Sequence, residues 1–383
     1  MNDVDEKVSP PPMSIDLEQW AAFFLDKAKG NQQLISGYLH FLKHCKQKDI
    51  PPIFEDNHLS QLLGINIRDL AFYLSGAQGR YRSFHIPKRK GGVRLINTPT
   101  PLLLHIQQWI LSKILYKLPV SEFAHGGVPG RSIFSNAKAH LGARCVLRID
   151  LKGFFDTVPL ALGISIFRAA GYSPNVSRSL ALLCFENGCL PQGAATSSTL
   201  ANLAANSLDK RLSALAKKYG LSYTRYVDDL TFSGRSIGPR FAIAVKSIVE
   251  QCRFVVNPRK TQLMRGSSPK FVTGLAVGGQ TLRVPRAFRR NVKNQAFQLV
   301  KRGVAGHLLA TGDNDPLILE RVAGKLAFWL QAEPESKTAR QLCAALAEYR
   351  KTVDTDVSLP QPRRIVPINY PDELFSDIDL FTT

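Results

Sequence analysis

Three features of the chain predict an α+β fold. Amphipathic helical periodicity fills most of its 383 residues, at 14–76, 101–118, 158–185, 196–220, 236–252 and from 285 onward. Short runs of aromatic and β-branched residues instead come in pairs around turn residues at 81–98, 221–234 and 271–284, the pattern of antiparallel hairpins. One further strand, Cys145–Asp150, is largely apolar and ends on an acid.

Composition sets the bounds. With 44% apolar residues the chain can bury a sizeable core and divide into two or three subdomains. The formal net charge is +20, unevenly spread: residues 1–20 and 365–383 carry −4 each, so the body between them carries +28. A folded body that basic points to a polyanionic partner, with nucleic acid the first candidate. Cys45, Cys145, Cys184, Cys189, Cys252 and Cys343 show no CxxC spacing or nearby histidine pairs. They read as thiols in a reducing compartment, not as a zinc site or disulfide framework. No apolar run reaches about 18 residues, and the acidic, proline-rich start lacks a signal-peptide pattern. A cytoplasmic protein with no membrane partner is expected.

Taken in order, residues 1–13 are polar and proline-rich. Ser14 opens a helix with Leu17, Trp20, Ala21, Phe24 and Leu25 on one face and Gly30 at its end. A second helix covers about 33–45, and a pair follows at 58–76; packing is all that these require. Tyr81–Pro99 reads as two strands around a basic Gly91-Gly92 turn. Its Lys88, Lys90 and Arg94 can close over a triphosphate, lysine as a point charge and arginine as a fork. The helix at 101–118 buries Leu103, Ile106, Trp109, Ile110 and Ile114, and the loop His125–Ser132 is rich in glycine.

Chemistry concentrates in the middle of the chain. Tyr226-Val227-Asp228-Asp229 places two adjacent carboxylates at a hairpin turn. They repel each other unless a cation lies between them, and Mg²⁺ takes one or two carboxylates plus substrate phosphates. A solitary Asp-Asp pair suits a solvated turn equally well, but this pair has company in Asp150, followed by Phe154-Phe155. A strand-end aspartate plus a hairpin-turn aspartate is the geometry two-metal phosphoryl transfer needs. One ion activates a 3′-hydroxyl and the other stabilises the leaving pyrophosphate. Between the acids lies Leu190-Pro191-Gln192-Gly193, then Thr196–Ser198 and a helix ending at Gly220. Beyond the hairpin come a helix at 236–252, a short strand Phe254–Val256, the block Asn257–Thr261, and a hairpin at 271–284 turning at Gly278-Gly279. From Pro285 the pattern is helical and basic, with Arg286, Arg289, Arg290, Lys293, Lys301 and Arg302, along which a sugar–phosphate backbone can run. Helices at 316–332 and 337–352 follow, and the tail from Leu359 is proline-rich, then acidic and aromatic.

The Asp150, Gln192 and Asp228-Asp229 blocks, in this order, resemble the catalytic palm of reverse transcriptases, and the resemblance runs over about residues 55–350. It implies a right-hand polymerase fold: an N-terminal helical extension (1–54), fingers with part of the palm (55–144), a palm on a βαββ-type antiparallel sheet (145–284), a helical thumb (285–355) and an acidic tail (356–383). It makes Asp150, Asp228 and Asp229 the catalytic and metal-binding acids, with two Mg²⁺ ions as cofactor. Arg94 matches the triphosphate-contacting arginine of the fingers hairpin, with Lys88 or Lys90 beside it. Phe155 stands where the family keeps a bulky aromatic that screens out a 2′-hydroxyl, one of the Phe154-Phe155 pair being core. Gln192 would touch the incoming nucleotide, and Lys260 would lie near its triphosphate. The loop with Arg131 would meet template backbone, and the 271–284 hairpin would hold the primer.

Two shorter blocks, Asn136-Ala137-x-x-His140 and Val272-Thr273-Gly274, narrow the resemblance to bacterial retrons. Arg131, Asn136, His140, Thr273, Arg286, Arg289, Arg290 and Lys293 are then the expected nucleic-acid contacts. A retron enzyme implies dNTP substrates and a structured non-coding RNA as template and primer, read by shape and single-stranded features. Its DNA product stays attached to that RNA as msDNA, started from a 2′-hydroxyl. Such systems serve anti-phage defence with an effector protein, here encoded separately. Val227 replaces the commoner alanine and Thr199 the commoner proline. The alternatives are another bacterial reverse transcriptase, of diversity-generating or phage-exclusion type, and a non-catalytic nucleic-acid-binding scaffold. The three aspartates and Gln192 weigh against the scaffold.

Overall fold

The computed structural model describes residues 17–27, 31–88, 91–311 and 315–356. Residues 1–16, Lys90 and the tail beyond Asp356 lie outside them. Contacts divide the chain into two compact units, Met1–Arg283 and Val284–Thr383.

In the first unit, α1 (Leu17–Lys27) and α2 (Gln32–Lys48) enclose an aromatic cluster in which Trp20, Phe24, Tyr38 and Phe54 have ring centroids 4.8–5.5 Å apart. Asn31 caps α2, its Oδ1 accepting from Leu34 N–H at 3.1 Å. The expected helix pair follows as α3 (Asp56–Leu63) and α4 (Ile67–Leu74). Strands β1 (Tyr81–Pro87) and β2 (Val93–Pro99) form a separate antiparallel hairpin. Helix α5 (Pro101–Lys113) ends earlier than the periodicity predicts and gives way to a 3₁₀ turn at Leu115–Lys117. A capping box of Ser132 and Ser135 starts the short α6 (Ile133–Lys138).

Next come β3 (Cys145–Leu151), α7 (Leu160–Ala170) and α8 (Pro174–Cys184). The helical stretch expected at 158–185 is two helices, because Gly171 adopts φ 116° and Ser173-Pro174 starts a new one. Helices α9 (Ser197–Ala204) and α10 (Asn206–Lys218) lead into β4 (Ser222–Tyr226) and β5 (Asp229–Gly234). After α11 (Pro239–Gln251) comes β6 (Val256–Met264), nine residues long where a short strand at 254–256 was expected. It is an edge strand, exposed along most of its length, with Pro258 inside and a register shift opposite Arg148–Asp150. Such a strand shows no alternation to read. The last hairpin also differs. Strands β7 (Phe271–Val272) and β8 (Leu275–Ala276) turn at Thr273-Gly274, with φ 45° and 86°, and a second reversal over the expected Gly278-Gly279 brings Arg283 back to an antiparallel bridge with Ala276. Two successive positive φ values are the type I′ pattern.

The central sheet is antiparallel in the order β4-β5-β3-β6. Leu147, Ile149, Leu230 and Phe232 on one face join the core with Leu208 and Leu212 of α10 and Phe241 and Val245 of α11. By register, Arg148, Asp150, Thr224, Asp229, Thr231 and Ser233 share the other face. The second unit packs α12 (Arg286–Thr311), α13 (Ile318–Ala332) and α14 (Lys337–Asp356) around Val292, Leu299, Val322, Leu326 and Trp329. Helical geometry breaks inside α12 at Gly303 (φ 72°, ψ 175°). Among the described residues no helix is long and apolar enough to cross a membrane.

Candidate active site

Three backbone pairings gather the acids. β3 and β5 place Asp150 opposite Asp229. β4 and β5 close on the pair Tyr226–Asp229, leaving Val227 and Asp228 as a two-residue turn. Leu151 N–H donates to Asp228 O at 2.8 Å, tying that turn to the end of β3. Val227 carries φ 57°, a costly conformation for a β-branched side chain. Gly126 makes room for it: a Cβ there would lie 2.6 Å from Val227 Cγ2 and 2.8 Å from Val227 N.

The carboxylates have unequal surroundings. Two side chains hold Asp150, Lys260 Nζ donating to Oδ1 at 2.8 Å and Asn257 Nδ2 to Oδ2 at 3.0 Å. Arg148 forks onto Asp229, Nε donating to Oδ1 at 3.4 Å and Nη2 to Oδ2. Asp228 makes no ion pair among the described residues. Burial pushes the Asp228 carboxyl above the usual carboxylate range, and the nearby Asp150 and Asp229 push it further. Burial also raises Asp229, against the pull of Arg148.

A half-buried carboxyl crowded by two others is a position that calls for a cation. No cluster of three or more His, Cys, Asp or Glu side chains converges on one metal position among the described residues. Asp150 and Asp228 alone supply the one or two carboxylates that Mg²⁺ ordinarily takes beside substrate phosphates. The donor set therefore fits a hard divalent ion beside the Lys260–Asp150 ion pair.

Comparison with known proteins gives this geometry its family. Residues 86–288 match the family described as reverse transcriptase (RNA-dependent DNA polymerase). The retron Mx162 reverse transcriptase of Myxococcus xanthus is 35% identical over 77% of this chain and 67% of its own length. The retron Ec86 reverse transcriptase of Escherichia coli is 31% identical over 78% of this chain and 91% of its own. The chain belongs to the retron reverse transcriptases. It spans only 56% of a further relative, the retron Mx65 reverse transcriptase of M. xanthus, at 39% identity. A telomerase of Candida albicans, solved with a telomeric RNA fragment, aligns over 73% of this chain and 64% of its own at 9% identity; its TM-score of 0.37 gives it no weight. As a member of this family the chain is an RNA-directed DNA polymerase with a right-hand polymerase fold, and its family works with divalent metal ions.

The other expected nucleotide contacts lie on the β1–β2 hairpin, in the Pro191–Gly193 loop and just after β3. The backbone of the Pro191–Gly193 loop docks on the β1–β2 hairpin, Asn97 N–H donating to Gln192 O at 2.8 Å. Gly193, at φ 128°, is required there, since a Cβ would lie 2.7 Å from Asn97 O. Gln192 is half-buried. Phe154 is the core member of its pair, 5.4 Å from Phe254 between ring centroids, and Phe155 is half-exposed beside it. Lys88 and Arg94 are exposed on the hairpin, and Lys90 lies outside the described residues.

The expected nucleic-acid contacts divide into two groups. Arg286, Arg290 and Lys293 are exposed on α12, while Arg289 is half-buried, 3.8 Å from Glu333. Thr273 is half-exposed, its Oγ1 donating to Ile133 O at 2.9 Å. Arg131 is half-buried, and its Nη1 donates to Ser121 O at 2.6 Å and to Ala124 O. Asn136 and His140 depart from the expectation, because both are buried and present no surface to a nucleic acid. Among the described residues Asn136 has no partner for either side-chain amide atom. His140 bridges the β4–β5 hairpin, with Nδ1 2.6 Å from Ser233 Oγ and Nε2 2.7 Å from Thr224 Oγ1. Burial, and then the charge of His125, push its ring down to about 4.

The sequence reading passed over Arg148 and Asn257, which hold Asp229 and Asp150. A basic residue two before a strand-end acid, inside an otherwise apolar run, was the available signal for Arg148. Asn257 opens the Asn-Pro-Arg-Lys block, and only the β3–β6 pairing shows that it faces Asp150.

Proposed function

We propose that this reverse transcriptase binds a structured non-coding RNA and copies part of it into DNA that remains joined to the RNA as msDNA. It does so in the cytoplasm, in a retron system of anti-phage defence with a separately encoded effector. The arrangement of Asp150, Asp228 and Asp229 at one end of the central strands carries the chemical part of the reading. The +28 charge of the body and the exposed bases of α12 support the polyanionic partner.

Asp150 and Asp228 hold two Mg²⁺ ions in this reading. When bound, these lower the pKa of the attacking hydroxyl and neutralise charge on the transferring and leaving phosphates. The protein's own groups do the rest. Asp229 keeps its partnership with Arg148 and supports the turn. Arg94 and one of Lys88 and Lys90 bind the dNTP triphosphate. Gln192 lines the nucleotide seat, and the Phe155 ring excludes a 2′-hydroxyl. Lys260 leaves Asp150 for the triphosphate, where its ammonium can hand a proton to the leaving pyrophosphate. Arg131 and Thr273, with Arg286, Arg289, Arg290 and Lys293, position template and product through the backbone.

The test is made on nucleic acid that purifies with the protein. The gene is expressed with its native upstream DNA, and bound nucleic acid is run on a denaturing gel with and without RNase, beside Asp228→Asn. A discrete DNA band that shortens with RNase and is missing from the variant is expected. A DNA smear, or RNA alone in both samples, would sink the retron reading.

A further inference from the structure

We propose that Arg225 is the positioning residue of the catalytic turn, and that through Asn202 it joins that turn to the glycine-rich loop at 125–130. The proposal rests on Asp228 being a catalytic carboxylate. Arg225 lies in β4, three residues before Asp228, with its side chain on the core face opposite the acids and no exposure to solvent. Its Nε and Nη2 fork onto Asp209 of α10 at 2.8 and 2.6 Å. The remaining nitrogen, Nη1, donates to Asn202 Oδ1 of α9 at 2.8 Å and to Val227 O at 3.1 Å. Val227 O belongs to the peptide that joins the strained turn residue to Asp228, so this bond fixes the plane from which Asp228 departs.

The same network reaches the loop. Asn202 Nδ2 donates to Gly126 O at 2.8 Å. The Arg225 backbone forms an isolated β-bridge with the segment leading into the loop, its N–H donating to Phe123 O and its carbonyl accepting from His125 N–H, both at 2.7 Å. Gly126 itself lies against Val227, with no space for a Cβ. The turn is therefore held from both sides: Arg225 fixes its carbonyl, and Gly126 supports its side chain and nitrogen.

Stability alone gives little reason for this construction. A fully buried ion pair rarely outperforms well-packed apolar residues of the same volume. What an apolar pair cannot supply is a planar donor that meets Asp209, Asn202 and Val227 O together. Lysine cannot supply it either, because its ammonium is a compact point charge. Reacting groups tolerate little misplacement, since about 1 Å can cost on the order of 100-fold in rate.

The test compares Arg225→Lys, which keeps a cation for Asp209; the apolar pair Arg225→Met/Asp209→Leu, which removes both charges; and Gly126→Ala, which pushes on Val227 without polar change. Wild type and Asp228→Asn run beside them. Extension of oligo(dT) on poly(rA) gives kcat and KM for dTTP, and thermal melting reports the folded fraction. Among variants that melt near wild type, kcat is expected to fall at least tenfold with KM for dTTP and affinity for the primed template within about threefold. A purely structural role would lower Tm and leave kcat per folded molecule unchanged, and that result overturns the proposal. If none of the three folds, the network is a determinant of the fold and the proposal fails. Full activity in Asp228→Asn would overturn the site assignment itself. An inactive Asp228→Asn beside fully active Arg225 and Gly126 variants would sink only the positioning role.

Discussion

Replacing His140 with glutamine removes a titrating group from the catalytic hairpin while leaving a donor and an acceptor for Thr224 and Ser233. The ring is 1% exposed and lies between two hydroxyls, so the folded protein keeps it neutral down to about pH 4. In the unfolded chain it takes a proton near 6.5, the ordinary imidazole value. Its folded pKa is thus depressed, so its contribution to stability is complete above 6.5, declines as pH falls, and is gone below about 4. At about 1.4 kcal/mol per pH unit, the wild type loses about 2 kcal/mol from this residue between pH 7 and pH 5. His140→Gln lacks that loss. Urea unfolding of the metal-free protein, followed by circular dichroism at both pH values, is the assay. The wild type should lose about 2 kcal/mol more than the variant, a large share of a typical 5–15 kcal/mol total. Equal losses in the two proteins would show that the native ring takes up protons freely, and the buried bridge described here would be wrong.

Three other outcomes follow from the site. Phe155→Ala should admit ribonucleotides, measured as the ratio of kcat/KM for dNTP and NTP; an unchanged ratio assigns sugar selection to another side chain. Gly193→Ala forces a Cβ onto Asn97 O, so it should loosen the loop from the β1–β2 hairpin and raise KM for dNTP several-fold, and a normal KM would show that the loop yields without consequence. Neutralising Arg286, Arg290 and Lys293 together with glutamine should flatten the dependence of RNA affinity on salt, by about one logarithmic unit of slope per lost phosphate contact; an unchanged slope would remove α12 from the interface.

Legibility in the sequence followed physical cause. The two catalytic strands were readable because the core imposes alternation on β5, Leu230 and Phe232 inward with Asp229, Thr231 and Ser233 on the other face, and closes the hairpin in two residues. The acids could be read because nothing apolar explains them. β6 lacked such a signal: an edge strand exposed along most of its length has no pattern to enforce, so the pairing of Asn257 with Asp150 was invisible. Asn136 and His140 were misplaced for a different reason. They were assigned to the nucleic acid through the family resemblance alone, and only the fold shows that both are buried and that the hydroxyls of Thr224 and Ser233 receive the ring of His140. The glycine pair Gly278-Gly279 is a strong local signal and marks a real reversal, between Ala276 and Arg283, but it hid the additional turn at Thr273-Gly274. Thr273 is instead kept at φ 45° beside a bond from its hydroxyl to Ile133 O.

The costs at the catalytic turn form a pattern. Val227 is strained, Asp228 is a half-buried acid beside two others, and the Val227 carbonyl points toward the core. Left alone, each would relax: the turn would open, the acid would take a proton, and the carbonyl would seek water. Each instead has a compensation drawn from a different part of the chain. Gly126 leaves space for the strained residue, Arg148 and Lys260 neutralise the flanking acids, and Arg225 receives the carbonyl. Only Asp228 has no cation of its own among the described residues. Because its neighbours are already paired with Arg148 and Lys260, Asp228 is the carboxylate that would gain most from holding a divalent ion, which would relieve the repulsion that raises its carboxyl. The fold thus concentrates its unmet electrostatic demand on one carboxylate, and that is the carboxylate whose removal should abolish synthesis.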